Sequence, residues 1–466
     1  MNGLDVWLYG TRVARLTEPS TYRYQLVYTD EAFDRWGEGA RVLSLNLPVT
    51  RKAIRDSRDT ADLRVSAFLE GLLPEGNLRR HVATQLKVPT VDKMSLLTQV
   101  GKECAGAVQF LPPDYEPVTA QVRRLTDEEV VRLVADLPTY HLPAGAQPQA
   151  SLAGVQDKVL LTRLPAGGWG WPEGGAASTH IIKPEPAAGA VLDHLVQTED
   201  WSLRVARRAG LMAAGSEIAT FGGRQAIVVE RYDRNGDGLR IHQEDFAQAL
   251  GLDPEAKYES TADYEANGSR LKRLCDVAAV RAEDPTLFRE TLLEAVTFNV
   301  ISGNGDAHSK NYSVLIGPRG EVTMAPLYDT APVFYLSARF SGTGHVIGGR
   351  TNLDWVSSTD LVNEATSWGL GARRSAAVVQ ETMERTYEAA HAEDLPDEVA
   401  GLVLGRLDRA WEARSWSIAA GPTQLGVEPE PTGKAGSGTV HVEAHTRADG
   451  TFVPAHSRRA PKPRGR

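Results

Sequence analysis

Residues 292–332 read LLEAVTFNVISGNGDAHSKNYSVLIGPRGEVTMAPLYDTAP. Leu292, Leu293, Val296 and Val300 recur at helical spacing, and the run stops at Ser302-Gly303. A polar loop follows with Asp306, His308, Lys310 and Asn311. Residues 312–316, a Gly-Pro-Arg-Gly turn and residues 322–325 then read as a hairpin that runs on into Asp329. Two acids and an amide therefore fall at the ends of elements, where a rigid scaffold can aim them.

The spacing has a chemical reading. Asp306 and Asn311 are five residues apart, and a short hairpin separates them from Asp329. Protein kinases place a substrate-facing Asp, a metal-binding Asn and a metal-binding Asp in this order. Phosphoryl transfer needs one carboxylate beside the attacking hydroxyl and hard oxygen ligands for Mg²⁺ beside the phosphates. The alternative is a solvated loop in which Asp and Asn only form turns. A metal hydrolase using Asp306 and His308 finds no further His or Cys cluster to complete a ligand set. His308 reads instead as a residue that orients the loop.

The chain has 466 residues, enough for two or three domains. Its formal net charge of −9 argues against a large nucleic-acid surface of its own. Two distant cysteines, Cys104 and Cys275, point to a reducing compartment with free thiols. The start, MNGLDVWLYGTRVARL, is not a signal peptide, and no stretch is long enough to span a membrane. The cytoplasm is the expected location.

From the N-terminus, residues 5–17 read as a hairpin around Gly10, and residues 22–28 alternate like a strand. Residues 63–83 are helical with a break at Pro74. Residues 96–110 read as a helix, a glycine turn and a strand, and Pro112-Pro113 marks a boundary. Thr126-Asp-Glu-Glu129 is a capping box. SLAGVQDK, 151–158, is a Gly-containing turn feeding a strand, a shape that can offer backbone N–H groups to phosphate. THIIK, 179–183, is a strand that ends in Lys183, a phosphate ligand on this reading. A helix over 193–209 carries Glu199, its ion-pair partner by kinase analogy. A hinge between two lobes falls after the strand 225–230. Residues 233–244 fit the pattern of a calcium loop, but a strand precedes them, so they are read as a hairpin turn. The rest to about 419 is mainly helical. Residues 421–466 are poor in apolar side chains and read as a disordered tail.

Together these residues resemble the HipA family of bacterial toxin serine/threonine kinases. LLPEG at 72–76 and GKECAGA at 101–107 resemble its small accessory domain. SLAGVQDK resembles its phosphate loop, HIIKP at 180–184 its ATP-lysine segment and ERYDR at 230–234 its hinge. NGDAHSKN at 304–311 resembles its catalytic loop and LYDTAP at 327–332 its metal motif. The resemblance implies an α+β, two-lobed protein-kinase-like fold. It would comprise an accessory subdomain over 1–112, a kinase N-lobe over 113–232 and a mainly helical C-lobe over 233–420. It further implies ATP and Mg²⁺ as cofactors, with Asp306, Lys183, Asn311 and Asp329 catalytic and Asn311 and Asp329 on the metal. Leu152, Ala153, Gly154, Val155, Gln156, Asp157 and Lys158 would wrap the nucleotide. Glu230, Arg231 and Tyr232 would meet the adenine, and His308 and Tyr328 would line the same site. Ser151 would be the autophosphorylation site. A phosphate there would be repelled by those of ATP, so the modification should switch the enzyme off. The implied partners are a small helix-turn-helix antitoxin (HipB-like) that binds DNA and a protein substrate. The family's known targets lie in translation, with glutamyl-tRNA synthetase the leading example. DNA would be reached only through the antitoxin. A silent, kinase-shaped corepressor is the competing class. Such a chain would usually have lost one of the four catalytic residues, and all four are present.

Overall fold

The structure is a computed structural model that describes residues 3–57, 62–113, 115–116, 121–137, 156–186, 192–235 and 239–419, with short stretches between 439 and 459. It divides into two units, Met1–Ile418 and Ala419–Arg466.

In the first unit three sheets matter for the site. Among the described residues the N-terminal sheet has five antiparallel strands, in the order Ile54–Arg55, Arg23–Tyr28, Thr11–Ser20, Gly3–Leu8, Val108–Leu111. Its first hairpin turns at Tyr9-Gly10, both with positive φ (50° and 74°), the two-residue turn whose twist suits antiparallel strands. The chain around Pro74 splits into the helices Arg64–Leu72 and Gly76–Leu86, as the proline requires. Apolar side chains from Leu4 to Phe110 form one core.

A second sheet runs Ser216–Phe221, Arg224–Glu230, His180–Pro184, Val159–Arg163, Trp169–Glu173, Gln121–Arg124. The helix Asp127–Ala135 beside it opens with the expected reciprocal cap between Thr126 and Glu129. The helix Leu195–Arg208 lays Val196 and Leu203 against Ile227 and Val229 of this sheet. That packing fixes the height at which Glu199 meets the strand carrying Lys183.

The third sheet holds the hairpin Ser313–Ile316 and Val322–Met324, with Val314 opposite Met324. It gains a third strand: beyond the hairpin turn read in 233–244, His242–Asp245 pairs antiparallel with Ser313–Ile316. The residues read against calcium are engaged elsewhere. Asp233 pairs with Arg231 at 2.8 Å, and Glu244 accepts the Leu45 N–H at 2.6 Å. The remaining core gathers around the helix Pro285–Ile301, packed by Ser358–Ser367 and Ala372–Ala392. Asp284 caps that helix, accepting from Thr286 and Leu287, with Pro285 in the first turn where its missing N–H does no harm. The last helix is Asp397–Ala419.

The second unit pairs Thr439–Val442 with His456–Arg459 and His445–Thr446 with Phe452–Val453. These strands fall inside 421–466, where composition pointed to a disordered tail. The local alternation Thr-Val-His-Val is a strand signal that the overall composition hides. No helix among the described residues is long and apolar enough to cross a membrane. Cys104 and Cys275 are buried and not bonded to each other.

Candidate active site

The helix Pro285–Ile301 delivers the catalytic-loop candidate. Asn304 donates to Asn299 Oδ1 at 2.9 Å, and its own Oδ1 accepts the Asp306 N–H at 3.2 Å. Gly305 lies where a Cβ would sit 1.6 Å from the Phe340 carbonyl oxygen, so any side chain would displace the loop. Asn311 Nδ2 donates to the Asp306 carbonyl at 2.8 Å, which ties the two ends of the loop together. Its amide oxygen is then the atom left to face a cation.

Asp306 accepts from the Tyr258 hydroxyl. Burial lifts its carboxyl above the ordinary value; Tyr258 and Lys257 oppose this, and Asp329 and Glu75 add to it. The buried His308 ring packs edge-on to Tyr258, with centroids 4.9 Å apart. Its Nδ1 accepts the Lys310 N–H at 3.3 Å. Burial and then Lys257 hold the imidazole far below its usual pKa. It is therefore neutral, with its proton on Nε2, 3.8 Å from Asp306 Oδ1.

On the opposite wall Lys183 Nζ is 2.8 Å from Glu199 Oε1 and 2.6 Å from Asp329 Oδ1. Burial pushes the pKa of this lysine down, but Asp329 and then Glu199 outweigh it and raise the pKa above its ordinary value. Burial would likewise raise Asp329, but Lys183 and then Lys158 more than offset it and hold the carboxyl well below the carboxylate range. Asp329 has φ 53°, a left-handed backbone that an aspartate adopts at some strain. That conformation turns the chain between Tyr328 and Thr330 at the residue that meets Lys183.

These groups line one cavity of about 290 Å³. It collects Lys158, Lys183, Asp306, His308, Asn311 and Asp329, with Gln156, Glu230, Tyr232 and Tyr328 also on its walls. Ile181, Val229, Ala214 and Leu195 make its apolar end. The Tyr232 and Tyr328 rings lie 5.5 Å apart beside that end. Ser151, Leu152, Ala153, Gly154 and Val155 lie outside the described residues, while Asp157 accepts from Asn77 at 3.3 Å. Arg231 also lines the cavity, while its guanidinium is engaged by Glu103, Asp233, Ser178 and the Cys104 carbonyl.

Two residues of the site had no signal in the sequence. Tyr258 reaches Asp306 from 48 positions away, and Glu75 pairs with Lys310 from 235 away. LLPEG was noticed only as a family-like run, and nothing local says that its glutamate enters a cleft.

The chain matches the HipA-like C-terminal domain over residues 150–392 and the HipA N-terminal domain over residues 4–111. It is 32% identical over 424 residues to Y4mE of Sinorhizobium fredii, which covers 85% of this chain and 97% of that protein. It is 32% identical over 310 residues to the serine/threonine-protein kinase toxin HipA of Shewanella oneidensis, covering 64% of this chain and 68% of the relative. A chain in the solved complex of Shewanella oneidensis HipA, HipB and operator DNA aligns with TM-score 0.72 at 27% identity, covering 90% of this chain and 98% of that one.

Proposed function

The chain belongs to the HipA family of kinase toxins, and from that premise we propose that it transfers the γ-phosphate of ATP, with Mg²⁺, to a serine or threonine of a protein. The observation that carries this is the convergence of Lys183, Asp306, Asn311 and Asp329 on one cavity with an apolar end. Asp306 orients the acceptor hydroxyl and takes its proton; burial raises its pKa above the ordinary value, the direction that strengthens a base. Lys183, held by Glu199, contacts the phosphates. The apolar end, with Tyr232 and Tyr328, takes the adenine.

Among the described residues no group of three or more His, Cys, Asp or Glu side chains could hold a metal by itself. An Asp–Asn oxygen pair nevertheless fits Mg²⁺, which keeps waters and phosphate oxygens as its other ligands. Asn311 and Asp329 would hold it, and bound there it would neutralise charge on the phosphates. Positioning and charge neutralisation carry this chemistry. Asp306→Asn and Asp329→Asn should therefore each lower transfer of labelled γ-phosphate to protein by roughly 10³-fold or more while the fold persists. Near-normal transfer by either variant overturns the assignment.

The reading extends to partners and control. The Shewanella structure holds HipB and operator DNA. An acidic chain, net −9, suits a protein that reaches DNA through a basic helix-turn-helix antitoxin rather than alone. Specific, tight DNA binding by the isolated chain in a gel shift at physiological salt would contradict this. The acceptor protein is to be sought first in the cytoplasmic translation machinery. Ser151 is proposed as the autophosphorylated residue that turns the enzyme off.

A further inference from the structure

Behind the hinge lies a second charged cluster that the kinase chemistry does not use. Arg231 stands between Glu230 and Tyr232, and all five of its N–H donors find an acceptor. Nε donates to Asp233 Oδ1 at 2.9 Å. Nη1 donates to Glu103 Oε1 at 3.1 Å and Ser178 Oγ at 2.8 Å. Nη2 donates to the Cys104 carbonyl at 3.2 Å and Asp233 Oδ2 at 2.8 Å. The Arg231 backbone N–H is fixed as well, by the Thr179 carbonyl at 2.9 Å.

Glu103 is the centre of this cluster. Its carboxylate also accepts from Ser178 N and Oγ and from Arg234 at 3.0 Å, and it pairs with Arg240. The Glu103, Arg231, Asp233 and Arg234 side chains are all at most 3% exposed. Glu103 and Cys104 belong to the N-terminal segment, more than 120 positions before the hinge. The same segment touches the hinge again at Gly106, whose N–H donates to Asp233 Oδ2 at 2.7 Å. A Cβ on Gly106 would stand 2.7 Å from the Gln243 N and His242 Nδ1, so the approach admits no side chain. The residue after Arg231 is Tyr232, which lines the cavity, lies against Tyr328 and donates to Gln243. Asp329 follows Tyr328.

We propose that Glu103 is a positioning residue for the nucleotide. Through Arg231 the N-terminal subdomain sets the hinge and Tyr232, and so the affinity of the cleft for Mg-ATP. The proposal rests on the kinase reading above. It makes the accessory subdomain a working part of the nucleotide site rather than an appendage.

The test is titration calorimetry of the full chain with Mg-ATP, beside thermal melting without nucleotide. Glu103→Ala should raise the dissociation constant about tenfold, and Glu103→Gln, which keeps the shape and an acceptor oxygen, should recover part of that loss. Arg231→Met should match Glu103→Ala, and the double variant should be no worse than Arg231→Met alone, because both act through one contact. Asp56→Asn is the control. Its buried carboxylate accepts from Tyr24 N, Ser66 N and Ser66 Oγ in the same subdomain but reaches no hinge residue. It should lower the melting temperature and leave affinity alone. Glu103→Ala and Glu103→Gln within about twofold of the wild type, or Asp56→Asn weakening binding as much as Glu103→Ala does, overturns the proposal alone. A wild-type chain that binds no Mg-ATP overturns the kinase reading and this proposal with it.

Discussion

Lys183 in the cleft pairs with Glu199 and Asp329, and Arg231 behind the hinge pairs with Glu103 and Asp233. Each is a buried cation between two carboxylates. They differ at one partner: the Asp329 side chain is 40% exposed to the cavity, whereas that of Asp233 is 3% exposed. The hinge cluster is closed, and its arginine has no donor to spare. The cleft cluster is open on one side, held at a strained Asp329, and its charges can be shared with an incoming phosphate or cation. Similar ingredients thus give a fastener in one place and an open, accessible cleft in the other, according to what burial leaves exposed.

Substitutions can break or sharpen that contrast. After the two aspartates above, the largest effect should come from Lys183→Met, which removes the proposed phosphate contact. Initial rates of phosphate transfer should fall roughly 10²- to 10³-fold, and a variant that keeps its rate would place the reaction elsewhere. Next is the fastener. Arg231→Met leaves Glu103 and Asp233 buried with less cation, and urea denaturation should show a loss of about 3–5 kcal/mol. Asp329→Asn should cost less than about 1 kcal/mol, since the cleft side is solvated and Asn tolerates a left-handed backbone well. Equal losses from the two would erase the distinction.

A third effect is set by pH. Burial, then repulsion from Lys183, presses the Lys158 pKa down from 10.5 to about 8. Its charge in the folded chain is therefore lost as pH rises through about 8. Mg-ATP affinity should weaken severalfold between about pH 7 and 9, and Lys158→Met should flatten that slope. The linkage to stability has the opposite sign. Between about 8 and 10.5 the unfolded chain binds the proton and the folded one does not, so this group adds stability as pH rises across that window. The smallest effect belongs to neither cluster. Thr126→Ala should remove about 1 kcal/mol from the cap of Asp127–Ala135, with Mg-ATP binding unchanged in the same calorimeter.

Much of the cleft was legible because its residues sit in short, ordered stretches. Asp306 and Asn311 share one loop, Asp329 ends a hairpin with clear turn residues, and Lys183 ends a strand. The pair Lys183–Glu199, 16 positions apart, is expected from kinase analogy alone. The hinge cluster left no such trace. Its contacts join residues about 130 apart, and nothing in GKECAGA says that Glu103 will be buried among three arginines. Position in the chain gives the hinge but not the partners of the Arg231 guanidinium. A strand after the turn in 233–244 is legible, but the pairing of His242–Asp245 with Ser313–Ile316 is not, because nothing local names a distant partner. The calcium-like pattern over 233–244 shows the converse. Spacing alone matched, while Asp233 and Glu244 are held by Arg231 and Leu45.

Transfer of phosphate from ATP to a hydroxyl in this cleft should leave its mark on the mass of the chain. Intact-mass and peptide mass spectrometry of the full chain after incubation with Mg-ATP, beside Asp306→Asn treated identically, tests it most directly. The expected result is a phosphate on Ser151 in the wild type and none in the variant. An unmodified wild-type chain, or equal modification of both proteins, would contradict it.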